Sequence, residues 1–196
     1  MAESSNPRER HRSLTRRLAD TSAGYRSWRK WQAAVRDVLT WCFVPPLLPP
    51  EEEGRIDRGR HRIDLIFPLS HDASGFWDYL RREYQSHALI VEVKNLSEAV
   101  SPGEFFGASK YLAPTKLGVF EVVVTRQELS PHALEQQVSL WRDDHKMLAH
   151  LMDRDLQAMA DVKLGGGDPA GILWAKILQI RRGLPPARPP TRAPGQ

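Results

Sequence analysis

Cysteine is nearly absent: Cys42 is the only one in 196 residues. That excludes an internal disulfide and any cysteine-based zinc cluster. It suits a reducing compartment, so a cytoplasmic location is expected. Long apolar runs are missing too. The longest, around Trp41 to Leu48, is too short for a membrane span and is broken by Pro45 and Pro46. The N-terminus is charged with no apolar stretch after it, so no secretory leader is expected. No internal repeat is visible. No Gly-Lys-Ser/Thr follows the glycines at 165–167, so they mark a helix-to-helix turn and not a phosphate cradle. His145 and His150 stand five apart with no acid motif between them, the wrong spacing for a zinc pair on one helix face.

What is present suits one soluble domain. The hydrophobic fraction of 41% at this length can build a real core. The net charge of +4 hides an asymmetry. Residues 1–36 hold nine Lys/Arg against three acids, and residues 181–196 hold four Arg and no acid. The segment between them is net acidic. Basic ends on an acidic body either attract a polyanion such as nucleic acid or are solvated tails. Residues 1–23 form a basic arm, expected to be mobile or weakly helical. Residues 183–196 are Pro-rich and cannot build a core element. The ordered domain is expected over 24–182.

Within it, Trp28, Trp31, Val35, Val38 and Leu39 recur at helical spacing, which predicts an amphipathic helix over 25–43 ended by Pro45. That spacing also reads Trp28 and Trp31 as core and not as base-stacking platforms. The following PPEEEGRIDRGR reads as loop. Strands are predicted at 62–68, 87–95 and 116–126, and a short one at 147–152. Helices are predicted at 74–84, 101–112, 130–145, 153–163 and 168–182, two of them opened by Ser-Pro. The alternation argues an α/β domain with a central mixed β-sheet flanked by helices.

Two of these strands carry the chemistry. Side chains alternate faces along a strand. In RIDLIFP, Ile63, Leu65 and Phe67 share one face and leave Arg62, Asp64 and Ile66 on the other. In HALIVEVKN, Leu89, Val91 and Val93 oppose Ile90, Glu92 and Lys94. If the strands are neighbours, Asp64 and Glu92 converge. Two carboxylates suffice for Mg²⁺, a hard cation that keeps waters and a substrate phosphate in its shell. Lys94 beside them could stabilise charge on phosphorus oxygens, or orient or deprotonate a water. Otherwise Glu92 and Lys94 lie on the solvated face of an edge strand. Arg60 and Arg62, flanking His61, are candidate phosphate contacts. Asp57 lies among loop residues and ranks below Asp64. Glu121 interrupts the third strand, and no role is assigned to it.

The pattern resembles the PD-(D/E)XK nuclease superfamily with its restriction-endonuclease-like fold. RIDLIF corresponds to the aspartate strand and VEVKN to the E-x-K strand. The helix ending in KYL, the strand VFEVVVTR and the segment MLAHLMDRDLQAMADVKLGGGDP look like small bacterial Mrr-like proteins. The resemblance spans about residues 25–182 and implies Asp64 and Glu92 as metal-binding acids and Lys94 as catalytic lysine. It implies Mg²⁺ as cofactor, with Mn²⁺ able to substitute, and DNA as substrate. The chain departs from the pattern in three places. Ile63 stands where the family has proline, Gly107 where many Mrr-like relatives have glutamine, and the nearest first-helix acid is Asp37.

The expectation is therefore a Mg²⁺-dependent DNA endonuclease, with a role in defence against foreign DNA implied by resemblance. One site cuts one strand, so double-strand cleavage needs a homodimer or two events. The alternatives are an inactive nucleic-acid-binding or protein-interaction module on the same fold, and a nuclease acting on RNA.

Overall fold

The computed structural model describes residues 6–56, 61–107 and 109–183. The expected Pro-rich tail lies outside them apart from Gly183, and so do Asp57 and Arg60. The elements run α1 (Pro7–Asp20), α2 (Trp28–Phe43), β1 (Glu51–Ile56), β2 (His61–Pro68), α3 (Phe76–Glu83) and β3 (Ala88–Lys94). They continue with α4 (Pro102–Phe106), β4 (Phe120–Thr125), α5 (Pro131–Asp144), β5 (Met147–Leu151), α6 (Asp153–Leu164) and α7 (Ala170–Arg181). The strands form one five-stranded mixed sheet in chain order. β1–β2 and β2–β3 are antiparallel, while β3–β4 and β4–β5 are parallel. No helix among the described residues is long and apolar enough to cross a membrane.

Both sheet faces are covered, which explains the run of six buried residues in β4, a central parallel strand. One face joins Leu65, Phe67, Leu89, Val91, Val93 and Val122 to Trp31, Val35 and Leu39 of α2 and to Leu156 and Leu173 of α6 and α7. The other joins Ile66, Ile90, Val123 and Leu148 to Phe105 of α4 and Ala133 of α5. The Ser-Pro starts act as expected. Ser130 accepts the Ala133 N–H, and Ser101 and Glu104 form a reciprocal capping box.

Of the two readings of the arm the helical one holds over residues 7–20, and Leu14 and Leu18 bury into the same core as α2. Several expectations are corrected. The Glu-rich stretch after Pro50 is the edge strand β1, bonded to β2, and not loop. The helix predicted over 101–112 stops at Phe106 and resumes only as a 3-10 turn at Ser109–Tyr111. Gly103 and Gly107 weaken helix propagation there. The strand predicted from 116 starts at Phe120. Gly118 first passes in the left-handed region (φ 113), so close to residue 86 that a Cβ would lie 2.4 Å from the Ser86 Cα. Last, Ile63 does not join Leu65 and Phe67. It packs with Ile66 and Ile90 on the opposite face. The β2–β3 pairing ends at Leu65–Val91, so Asp64 and Ile63 leave the regular ladder.

Candidate active site

The departure from the ladder aims the aspartate. Asp64 is 9% exposed, and its Oδ2 accepts the backbone N–H of Val93 at 2.9 Å. Glu92 and Lys94 flank that amide on β3. The Lys94 Nζ lies 2.5 Å from Glu92 Oε1, with side chains 31% and 14% exposed respectively. Asp64, Glu92 and Lys94 are thus brought together, on a face otherwise buried under α4 and α5. The solvated-edge reading fails, since β3 lies between β2 and β4.

Two further residues join them, Glu121, noted in the sequence without a role, and Gln32, not noted there. Glu121 faces the same side from β4, where its register partner is Ile90, one face-step before Glu92. It is 1% exposed, and its Oε2 has no hydrogen-bond partner. The available signal was parity: Glu121 is the only charged residue in an otherwise apolar strand, on the face that bears Glu92. The second is Gln32 of α2, buried, whose Nε2 donates to the Asp64 carbonyl at 3.4 Å. Nothing in the helical periodicity distinguishes it from a core-edge residue.

The other sequence candidates fall as follows. Arg62 is half-exposed and sits 3.5 Å from Glu53, at the rim of the site. Arg60 lies outside the described residues. Asp37 turns away, pairing with Arg17 at 2.5 Å and Arg36 at 2.7 Å. His150 is buried against Thr125, with Nε2 2.7 Å from its Oγ1, while His145 ends α5 in a left-handed conformation.

The electrostatics are those of a cluster short of positive charge. Burial raises the Asp64 carboxyl above its ordinary range, against the pull of the Val93 N–H and of Lys94. Burial, then the Asp64 charge, raises Glu92. Burial, then Glu92, raises Glu121 well above the usual carboxylate range. Burial lowers Lys94, but Glu92, Asp64 and Glu121 together outweigh it and hold the ammonium above its ordinary value. Lys94 inside the cluster and Arg62 at its rim offset the carboxyls only in part, and a bound divalent ion would add positive charge where burial now disfavours ionisation.

Among the described residues, no group of three or more His, Cys, Asp or Glu side chains is gathered tightly enough to hold a metal ion. Mg²⁺ needs less than that, since one or two protein carboxylates with waters suffice. Asp64 and Glu92 supply hard oxygen donors of this kind, and the orphaned Glu121 Oε2 lies in the same cluster. The donor chemistry fits the ion. No family model, no curated protein and no solved structure matches this chain.

Proposed function

We propose that the chain is a Mg²⁺-dependent endonuclease on a restriction-endonuclease-like core, cutting phosphodiester bonds in DNA. The observation that supports it most is the meeting of Asp64, Glu92 and Lys94 on one sheet face, with the lysine on the glutamate at 2.5 Å. Asp64 and Glu92 would hold the ion, which when bound supplies phosphoryl polarisation and a more acidic water. Asp64 is kept in place through Val93 and Gln32. Lys94 stays protonated at neutral pH, because the surrounding carboxyls raise its pKa. As an ammonium it is placed to stabilise the charge that grows on the phosphorus oxygens.

A second reading is a non-catalytic nucleic-acid-binding module. It is favoured by the same contacts seen differently: Lys94 already neutralises Glu92, and Asp64 already satisfies a backbone amide. Incubating supercoiled, linear and single-stranded DNA, and matched RNA, with Mg²⁺ or Mn²⁺ separates the two. Wild type should nick or cut, while folded Glu92→Gln and Lys94→Ala proteins should lose at least about two orders of magnitude of rate. Equal cutting by wild type and Glu92→Gln would sink the catalytic assignment.

A further inference from the structure

The segment Gly24–Lys30, Gly-Tyr-Arg-Ser-Trp-Arg-Lys, borders the carboxylate cluster and has no part in the proposed chemistry. Gly24, at φ 105, donates its N–H to the Asn95 carbonyl at 2.9 Å. Asn95 Nδ2 donates back to the Ser22 and Gly24 carbonyls at 3.2 and 2.8 Å. Asn95 directly follows Lys94, so this turn is pinned to the end of β3 that presents the lysine. Arg126, directly after β4, donates to the Thr21 carbonyl. On α2, Gln32 reaches the Asp64 carbonyl, and Arg29 lies one helical turn back along the same face.

The segment displays cations and an aromatic ring. Arg26, Arg29 and Lys30 are exposed, and none has a carboxylate partner among the described residues. Elsewhere arginines are mostly paired, as Arg17 and Arg36 are with Asp37, Arg126 with Asp153 and Arg181 with Glu83. Tyr25 is 86% exposed, the barest of the large hydrophobic residues described. Cations without a carboxylate partner, crowded into six residues, favour a polyanion, and Arg29 is steadied over the Trp28 ring at 5.7 Å with its charge left unneutralised. A ring standing among them is what base stacking requires.

We propose that Tyr25, Arg26, Arg29 and Lys30 form the wall along which a single nucleic-acid strand lies as it enters the site. The three cations take successive phosphates, and Tyr25 stacks on an unpaired base. The inference rests on the phosphodiesterase reading of the neighbouring carboxylates. It makes a strand with free base faces the preferred ligand over a closed duplex, whose bases are already stacked on each other.

The test is binding of a fluorescein-labelled single-stranded oligonucleotide to the full chain in excess chelator, where nothing is cut. Tyr25→Ala should weaken single-strand binding about tenfold or more, and Tyr25→Phe should retain it. Neither should change binding to a closed duplex of the same sequence. Removing Arg26, Arg29 and Lys30 together should flatten the salt dependence by about two in log–log slope, at about 0.7 per phosphate contact. Wild-type affinity and slope in these variants would overturn the proposal. So would polyglutamate competing as well as the oligonucleotide. Failure of the nuclease reading would instead show as absent cleavage with strand binding in chelator intact.

Discussion

The carboxylate of Asp64 accepts the backbone N–H of Val93 at 2.9 Å, just past Leu65–Val91, the last pair of the β2–β3 ladder, with Asp64 one position on and Val93 two. A side chain on one strand thereby supplies the acceptor that its own backbone no longer offers to the next. Asp64 consequently has two jobs, and substitutions separate them. Asp64→Asn keeps an acceptor and removes a buried charge, so it should be at least as stable as wild type. Asp64→Ala leaves the Val93 N–H buried and unmet, at a cost of about 1–3 kcal/mol. Urea denaturation of both proteins checks this, and equal losses would rule out the acceptor role.

Among the described residues, Lys94 is the one cation hydrogen-bonded within this cluster of carboxyls, so its removal should be felt through pH. In Lys94→Met, burial and Asp64 act on Glu92 with only Arg62 left to oppose them, and its pKa climbs further. A carboxyl raised in the folded state contributes stability at low pH that is lost as pH rises through its folded pKa. The variant should therefore lose stability more steeply than wild type as pH rises from the ordinary carboxylate range towards neutral. Breaking a fully buried pair costs about 3–5 kcal/mol, and the partial exposure of Lys94 brings the expected loss to about 3 kcal/mol or less. Denaturation midpoints at acid and at neutral pH measure it. A pH-independent difference would mean that Lys94 acts by packing alone.

Much of this site was legible in the chain, for a definite reason. Asp64, Glu92 and Lys94 interrupt apolar runs, and strand parity puts all three opposite Leu65, Val91 and Val93. The edge strand β1 was not legible. Glu51–Glu53 and Gly54 are poor strand formers in isolation, and they pair only because β2 offers a free edge. Charged residues there also suit an edge that must not recruit further strands. Ile63 was misplaced because parity assumes a regular strand, and at Leu65 β2 parts from β3 while Ile63 still pairs with Gly54 of β1. Helix α1 was only half legible because its apolar content is little more than Leu14 and Leu18, whose burial depends on α2 and α6. Glu121 was visible as a lone charge in an apolar strand, but its meeting with Glu92 depends on the β3–β4 register, and Gln32 reaches the site from a helix, relations that no local pattern encodes.

Glu121 gives a cleaner pH signature than its neighbours, because it is fully buried and its Oε2 has no partner. Its carboxyl is raised well above the ordinary range by burial and by Glu92. The unfolded chain ionises this group above about pH 4.3, while the folded chain holds the proton. Wild type therefore loses stability as pH rises through that interval. Glu121→Gln, which cannot ionise, should match wild type in acid and overtake it progressively towards neutral pH. Parallel stability-versus-pH curves for the two proteins would show that Glu121 ionises alike in both states.

His150 should impose the opposite slope. Its ring is buried in the sheet, edge-on to Phe105, with Nε2 2.7 Å from Thr125 Oγ1. Burial is the main reason its pKa falls from 6.5 to about 4. Lys176 and Arg154 push the same way, and Asp155 and Glu128 oppose them. A depressed folded pKa leaves stability intact above pH 6.5, then erodes it as the unfolded chain takes up a proton that the folded chain refuses. The loss is complete near pH 4 and amounts to roughly 3 kcal/mol, at about 1.4 kcal/mol per unit. Carboxylates elsewhere also titrate in acid, so the informative quantity is the difference from a variant. His150→Gln keeps a polar partner for Thr125 and has no charge to gain. Its stability should fall less than that of wild type between pH 6.5 and 4, and an unchanged acid slope would place the proton uptake elsewhere.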